Sequence, residues 1–145
     1  MRDSFVVFLI GMRINRWWKV HKWFPVTNAM RRMLQELYAN PELGLLHHEA
    51  WYGRTTMMVQ YWESFEKLEH YAANRESGHL PAWRDFNRRV GSNGDIGIWH
   101  ETYRVDRGNY ETIYHNMPPF GLAKAGRLEP ITKATTQARQ RLGDA

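Results

Sequence analysis

Two histidines stand where this chain can do chemistry. His79 opens the run HLPAWRDFNRRV. Helical spacing groups residues 79, 83, 86, 87 and 90 on one stripe, so His79, Trp83, Phe86, Asn87 and Val90 look the same way. A His and an Asn among apolar groups suit binding a ligand carbonyl, moving a proton or ligating a metal. The competing reading is a helix-start His bonded to backbone, with Trp83 and Phe86 as plain core. His100 lies in IGIWHETYRV, where alternation sets it with Ile96, Ile98 and Thr102 and opposes it to Trp99, Glu101 and Tyr103. A His in the middle of a buried strand must have a partner. It reads either as a pocket base oriented by a neighbouring Tyr or Glu, or as a satisfied structural residue.

His79, His100 and Asn87 are thus the catalytic candidates. Arg13, Tyr61, Trp62, Trp83, Phe86 and Tyr103 are the substrate-binding candidates, with Tyr114 beside them. Those on strands carry a polar tip in an otherwise apolar run. His47, His48 and Glu49 look like metal ligands at first sight. On a strand only His47 and Glu49 share a face, and two ligands make a poor site. A solvated hairpin face is expected there, and no metal.

The elements that must position these residues are organised around residues 5–14, FVVFLIGMRI. As a strand this run sends Phe5, Val7, Leu9 and Gly11 to one face and Val6, Phe8, Ile10 and Met12 to the other. Both faces are apolar, so both should be covered. Burying one large apolar side chain is worth roughly 1.5–3 kcal/mol, so leaving three or four wet would cost about as much as a small domain's whole stability.

A loop follows, with Trp17, Trp18, Trp23 and Phe24 among Arg16, Lys19, His21 and Lys22. It reads as aromatics packed under a charged loop, as a lid over an apolar pocket, or as a surface for membrane or nucleic acid. Thr27 or Asn28 can cap a helix to about Ala39, with Met30, Met33, Leu34 and Leu37 as its buried stripe. Asn40-Pro41 stops it. Residues 45–52 and 55–62 read as a hairpin, and Ser64 as the cap of the next helix. Pro81 starts a renewed helical segment and Gly91 ends it. Residues 96–105 are a fourth strand, and 110–116 a fifth, edge-type one. Met117-Pro-Pro-Phe-Gly-Leu122 should be a fixed irregular segment sealing a cavity or stapling the chain's end. The order βαββαβ is the split βαβ, ferredoxin-like arrangement of the α+β class. Residues 1–130 are expected to form one domain and 131–145 a polar, flexible tail.

The totals bound the function. The chain has 145 residues with 43% hydrophobic and 24% charged, enough for one core and not comfortably two. Aromatics reach 14%, with seven Trp, which suggests an aromatic-lined cavity or a large interface. The absence of Cys excludes disulfides, thiolate chemistry and cysteine metal sites, and fits a reducing, cytoplasmic location. Met1 leads almost directly into the first strand, so no signal peptide is expected, and no run is long enough to span a membrane. The net charge of +5 raises nucleic acid or an anionic membrane as partners. RNA binding by an RRM would need a basic–Gly–aromatic third strand, which Thr55-Thr-Met-Met-Val59 lacks. No nucleotide-phosphate motif of either common type is present.

The segments FVVFLIGMRIN, MMVQYWESFEKLEHYA, HLPAWRDFNRRVG, GIWHETY and YETIYHNMPPFGL together resemble the antibiotic-biosynthesis-monooxygenase-like branch of the dimeric α+β barrel superfamily. They are most similar to a family of monooxygenase-like proteins of bacteria and fungi. The resemblance covers residues 5–126. It implies a homodimer whose helix-free sheet faces oppose each other. It also implies a monooxygenase acting on a small hydrophobic or aromatic molecule, with no cofactor, the deprotonated substrate giving its electron to dioxygen. A second implication is haem b, with His79 in the helical region where several haem-binding relatives place the proximal His. A haem-degrading enzyme, an aldoxime dehydratase-like enzyme or a non-catalytic small-molecule carrier are the corresponding alternatives. Fold alone does not decide among them.

Overall fold

The computed structural model describes residues 4–73, 88, 94–128 and 130–143. Four strands form one antiparallel sheet in the order β2-β3-β1-β4. They are β1 (Ser4–Ile14), β2 (Leu45–Trp51), β3 (Met57–Trp62) and β4 (Ile96–Asp106), with helix α1 (Val20–Ala39) and helix α2 (Phe65–Ala73) between them. This is the α+β, ferredoxin-like arrangement expected. The central strand is β1, paired with β3 from Val6↔Trp62 to Ile10↔Met58. Along its other edge β1 pairs with β4 over its full length, from Ser4↔Asp106 to Ile14↔Ile96.

Register decides which side chains look at the helices. Val6, Ile10, Met12 and Ile14 of β1 join Met58 and Trp62 of β3 and Ile96 of β4 in the buried core. Helix α1 adds Val26, Ala29, Met33, Leu34 and Leu37, and α2 adds Leu68 and Tyr71. The stripe predicted for α1 is therefore its buried face, with Met30 packed against the core from its edge. Asn40 ends α1 through its N–H and side-chain amide, both donated to the Glu36 carbonyl (3.1 and 2.8 Å). Ser64 caps α2, its Oγ accepting the Lys67 N–H at 3.2 Å.

Three expectations need correction. Helix α1 starts at Val20, not at Thr27 or Asn28, and runs through Pro25. A proline inside a helix costs about 3 kcal/mol. The offsetting contacts are tertiary: Trp23 packs against the core and donates its indole N–H to the Trp17 carbonyl (3.0 Å). The solvated hairpin face is also absent, because Glu49 and His47 are largely covered. The extra strand at 110–116 does not form. That segment lies across the sheet rather than along an edge, so its backbone has no ladder to join. Tyr110 meets the Phe5 ring edge-on at 4.9 Å, and the pair Pro118–Pro119 ends any extended run.

Half of the question raised by β1 is answered here. Val7, Leu9 and Gly11 look away from the helices, as do Val59 and Tyr61 of β3 and His47, Glu49 and Trp51 of β2. Residues 110–125 strap the β2–β3 side of this face. Phe120 packs on Trp51 (6.1 Å) and the Gly121 N–H donates to Glu49 Oε1 (3.2 Å). The strap is tightened by Ala123, whose N–H donates to Tyr114 Oη at 3.2 Å. Gly121 has φ of +54°, and a Cβ there would sit 2.9 Å from Tyr61 Oη. Only glycine allows this approach.

Candidate active site

Two adjoining cavities lie under α1 against the sheet, sharing Ile10, Met30 and Leu34 as walls. The larger holds about 130 Å³ and is lined by Met12, Val26, Met58 and Ala50, with Thr27, Asn28, Arg31 and Thr56 supplying polar atoms. Thr56 is committed, since its Oγ1 accepts the Met12 N–H at 2.9 Å. The smaller, about 40 Å³, is bounded by Phe8, Leu37, Gln60, Trp62, Leu68 and Tyr71.

The chemistry of the smaller cavity rests on three side chains. Gln60 is buried at 4% exposure. Its Oε1 accepts the Trp62 indole N–H at 2.9 Å, and its amide donates to the Met58 sulfur at 3.2 Å. Thioether sulfur is a weak acceptor, so the amide retains donor capacity. The Tyr71 ring lies 5.6 Å from that of Trp62 at a tilt of 41°, and among the described residues its buried hydroxyl has no hydrogen-bond partner. Burial pushes the Tyr71 phenol well above its ordinary range, with Glu36 adding to the effect. It is therefore a neutral donor at any physiological pH. Leaving such a group unpaired costs roughly 1–3 kcal/mol, and ligand binding is one reason to retain one.

The expected site residues divide between the two sides of the sheet. Trp62 faces the helices and lines the small cavity, its N–H spent on Gln60. His100 is on the same side, its ring 5.7 Å from Phe8, which is also a cavity wall. It is exposed rather than buried, because β4 is an edge strand. It therefore needs no internal partner, contrary to the expectation. Arg13, Tyr61 and Tyr103 belong to the helix-free face. Arg13 donates to Thr55 Oγ1 (2.9 Å), and Tyr103 donates to Glu101. The Tyr61 phenol sits under the strap, raised by burial and then by Tyr114 and Glu49. Tyr114 belongs to the strap itself. His79, Asn87, Trp83 and Phe86 lie outside the described residues, as do the Pro81 start and Gly91 end of their helix.

Sequence reasoning passed over Gln60 and Tyr71. Gln60 carried a signal, being the one polar residue alternating with Met58 and Trp62. Tyr71 follows Leu68 by three residues on α2, so helical spacing placed it inward. Nothing in the sequence marked its hydroxyl as unpaired.

The hairpin cluster has a structural task. Burial pushes the Glu49 carboxyl up, but His47 (3.0 Å), the Gly121 N–H and Lys124 (3.3 Å) outweigh it and hold it at about 2. His48 faces the helix side and meets Tyr38 Oη at 2.7 Å. Burial, followed by His47, keeps its pKa below the usual histidine range. Among the described residues no three His, Asp or Glu side chains gather as metal ligands. Among the described residues, neither cavity under α1 has a histidine in its wall. The described residues therefore supply no axial ligand there for haem.

A family model described as Monooxygenase af470-like matches residues 5–122. The chain is 30% identical over 134 residues to a protein of the fungus Aspergillus fumigatus named Monooxygenase af470. That alignment covers 85% of this chain and 46% of the relative, so the chain spans about half the relative's length. No solved structure gives a significant match.

Proposed function

Because the chain belongs to the Monooxygenase af470-like family, we propose that it oxidises a small hydrophobic or aromatic molecule in the paired cavities under α1, without a resident cofactor. The observation that carries this reading is the Tyr71 hydroxyl, buried in a recess whose other polar wall is Gln60 and unpartnered among the described residues. An ionised phenol or enol bound there meets two neutral donors, Tyr71 Oη and the Gln60 amide. Donors fixed in a dry site stabilise a developing oxyanion more than water does. The activated substrate carbon gives an electron to dioxygen and combines with it. In the balanced outcome a CH₂ group and O₂ become C=O and H₂O. The base that takes the substrate proton is assigned to His100 or His79, with Asn87 as a further donor. Trp62, Trp83 and Phe86 supply apolar contact.

Dioxygen uptake with a panel of ionisable aromatic CH₂ compounds tests the reading. Uptake should fall roughly a hundredfold to a thousandfold in Tyr71→Phe, and comparably in whichever of His100→Ala and His79→Ala removes the base. No uptake with any panel member, or full activity in all three variants, defeats it. A colourless protein, with no Soret band after haem is added, is expected. A Soret band lost in His79→Ala would transfer the chemistry to haem.

The reading includes a homodimer. What favours it is the strip of Val7, Leu9 and Val59 that the strap leaves only partly covered, with half-exposed Tyr103 beside it. Light scattering after size exclusion at micromolar concentration should give twice the mass of 17.3 kDa. A single-chain mass would remove this part.

A further inference from the structure

Apart from Trp23, the aromatic residues Trp17, Trp18 and Phe24 that precede and open α1 face water. Trp17 is 67% exposed, Trp18 62% and Phe24 53%, and Val20 is half exposed. None of them lines the cavities under α1, so these four side chains, unlike Trp23, are neither packed inward nor a lid on those cavities. Large exposed aromatics grouped together mark an interaction surface.

The tip is held rigidly. The Asp95 carboxylate, 3% exposed, receives Arg16 at 2.6 Å and Lys19 at 3.0 Å. The Asp95 carbonyl accepts the Asn15 and Arg16 N–H groups (3.1 and 3.4 Å). The Asn15 amide donates to the Gly94 carbonyl at 3.1 Å, and Trp17 meets Trp18 edge-on at 6.2 Å. This base keeps the two Trp side chains outward.

The charge around the tip has one sign. No acidic residue occurs between Asp3 and Glu36, while Arg13, Arg16, Lys19, Lys22, Arg31 and Arg32 all do. Asp95 offsets only one of these charges locally. Exposed Trp and Phe ringed by Lys and Arg match the interfacial zone of a bilayer, where indole rings sit at headgroup level and cations meet anionic lipid.

We propose that the Trp17–Trp18–Phe24 tip docks this protein onto an anionic membrane surface. The occupant is lipid rather than nucleic acid or a second copy, since the apolar groups form the tip and the cations flank it. Val20, Phe24, Thr27 and Arg31 follow helical spacing, and the last two line the larger cavity. A docked tip thus brings the cavity mouth close to lipid-dissolved molecules. That consequence rests on the function proposed above, whereas docking does not.

The test is co-sedimentation of the full chain with phosphatidylserine–phosphatidylcholine vesicles, with tryptophan emission read alongside. Binding with a blue shift is expected, at least tenfold weaker on pure phosphatidylcholine and tenfold weaker in the double variant Trp17→Ser, Trp18→Ser. Lys22→Glu should weaken it severalfold. These side chains are exposed, so the variants should retain the wild-type circular dichroism; Phe24→Ser supplies a second variant if the double one does not. Absence of binding to anionic vesicles overturns the proposal, as does undiminished binding by the variants. Binding of a single-stranded oligonucleotide or self-association, lost in the same variants while vesicles are ignored, also overturns it. Turnover is not needed for any of these readings, so failure here is separate from failure of the oxygenase reading.

Discussion

Tyr71 separates structure from function at the scale of one atom. Its hydroxyl costs stability in the free protein because it is buried and, among the described residues, unpaired. Tyr71→Phe should therefore unfold no earlier than wild type in urea, and up to about 1–3 kcal/mol later, while substrate oxidation falls. A variant that loses both stability and activity would show the hydroxyl to be structural. Glu49 carries a pH dependence of opposite origin. Its carboxyl is held at about 2 in the folded chain against an ordinary 4.5. Its stabilisation is therefore fully present above pH 4.5 and is lost as pH falls from there toward 2. Stability measured across this window should decline less in Glu49→Gln than in wild type. Because Gln lacks the charge that Lys124 meets, that variant should start lower at pH 7.

At the scale of elements, β1 and β4 are bound by a close approach at Gly11. A Cβ there would lie 1.9 Å from the Thr56 carbonyl oxygen and 2.7 Å from Trp99 Nε1, and that same carbonyl accepts the Trp99 N–H at 3.2 Å. Gly11→Ala has to part backbone from backbone, so it should cost at least roughly 1–3 kcal/mol, read as a lowered denaturation midpoint. The strand pattern of 5–14 was legible, and so was its two-sidedness, because alternation depends on neighbouring residues alone. The start of α1 was not. Pro25 and the mixed aromatic and basic run before it gave a local instruction to wait until Thr27. The contacts of Trp23 and of Asp95, more than 70 positions away, overrode it. The fifth strand failed for a related reason: its β-branched and aromatic residues suit a sheet, yet the ladder that would accept them is not where the chain passes.

On the scale of the whole molecule, the helix-free face is shared between a strap of the same chain and a partly covered strip of Val7, Leu9 and Val59, the surface we propose for a second copy. Gly121→Ala should lift the strap, since the new methyl would meet Tyr61 Oη and the backbone there is left-handed. Faster amide exchange at 110–125, with β1 and β4 still protected, is the expected signature. Uniform loss of protection would mean that the strap and the sheet unfold as one unit. Among the described residues no helix is long and apolar enough to cross a membrane.

Element order, the central strand and the core stripe of α1 could be read from residue types, because each depends on periodicity within a short window. The division of the candidate site residues could not. His100 and Trp62 turn to the helices while Arg13, Tyr61 and Tyr103 turn away, and that follows from the register of four strands distant in sequence. The burial of the Tyr71 hydroxyl without a partner among the described residues, and the outward set of Trp17 and Trp18, are likewise products of tertiary structure. Both depend on which distant groups arrive within hydrogen-bonding or packing range, and no local pattern encodes that.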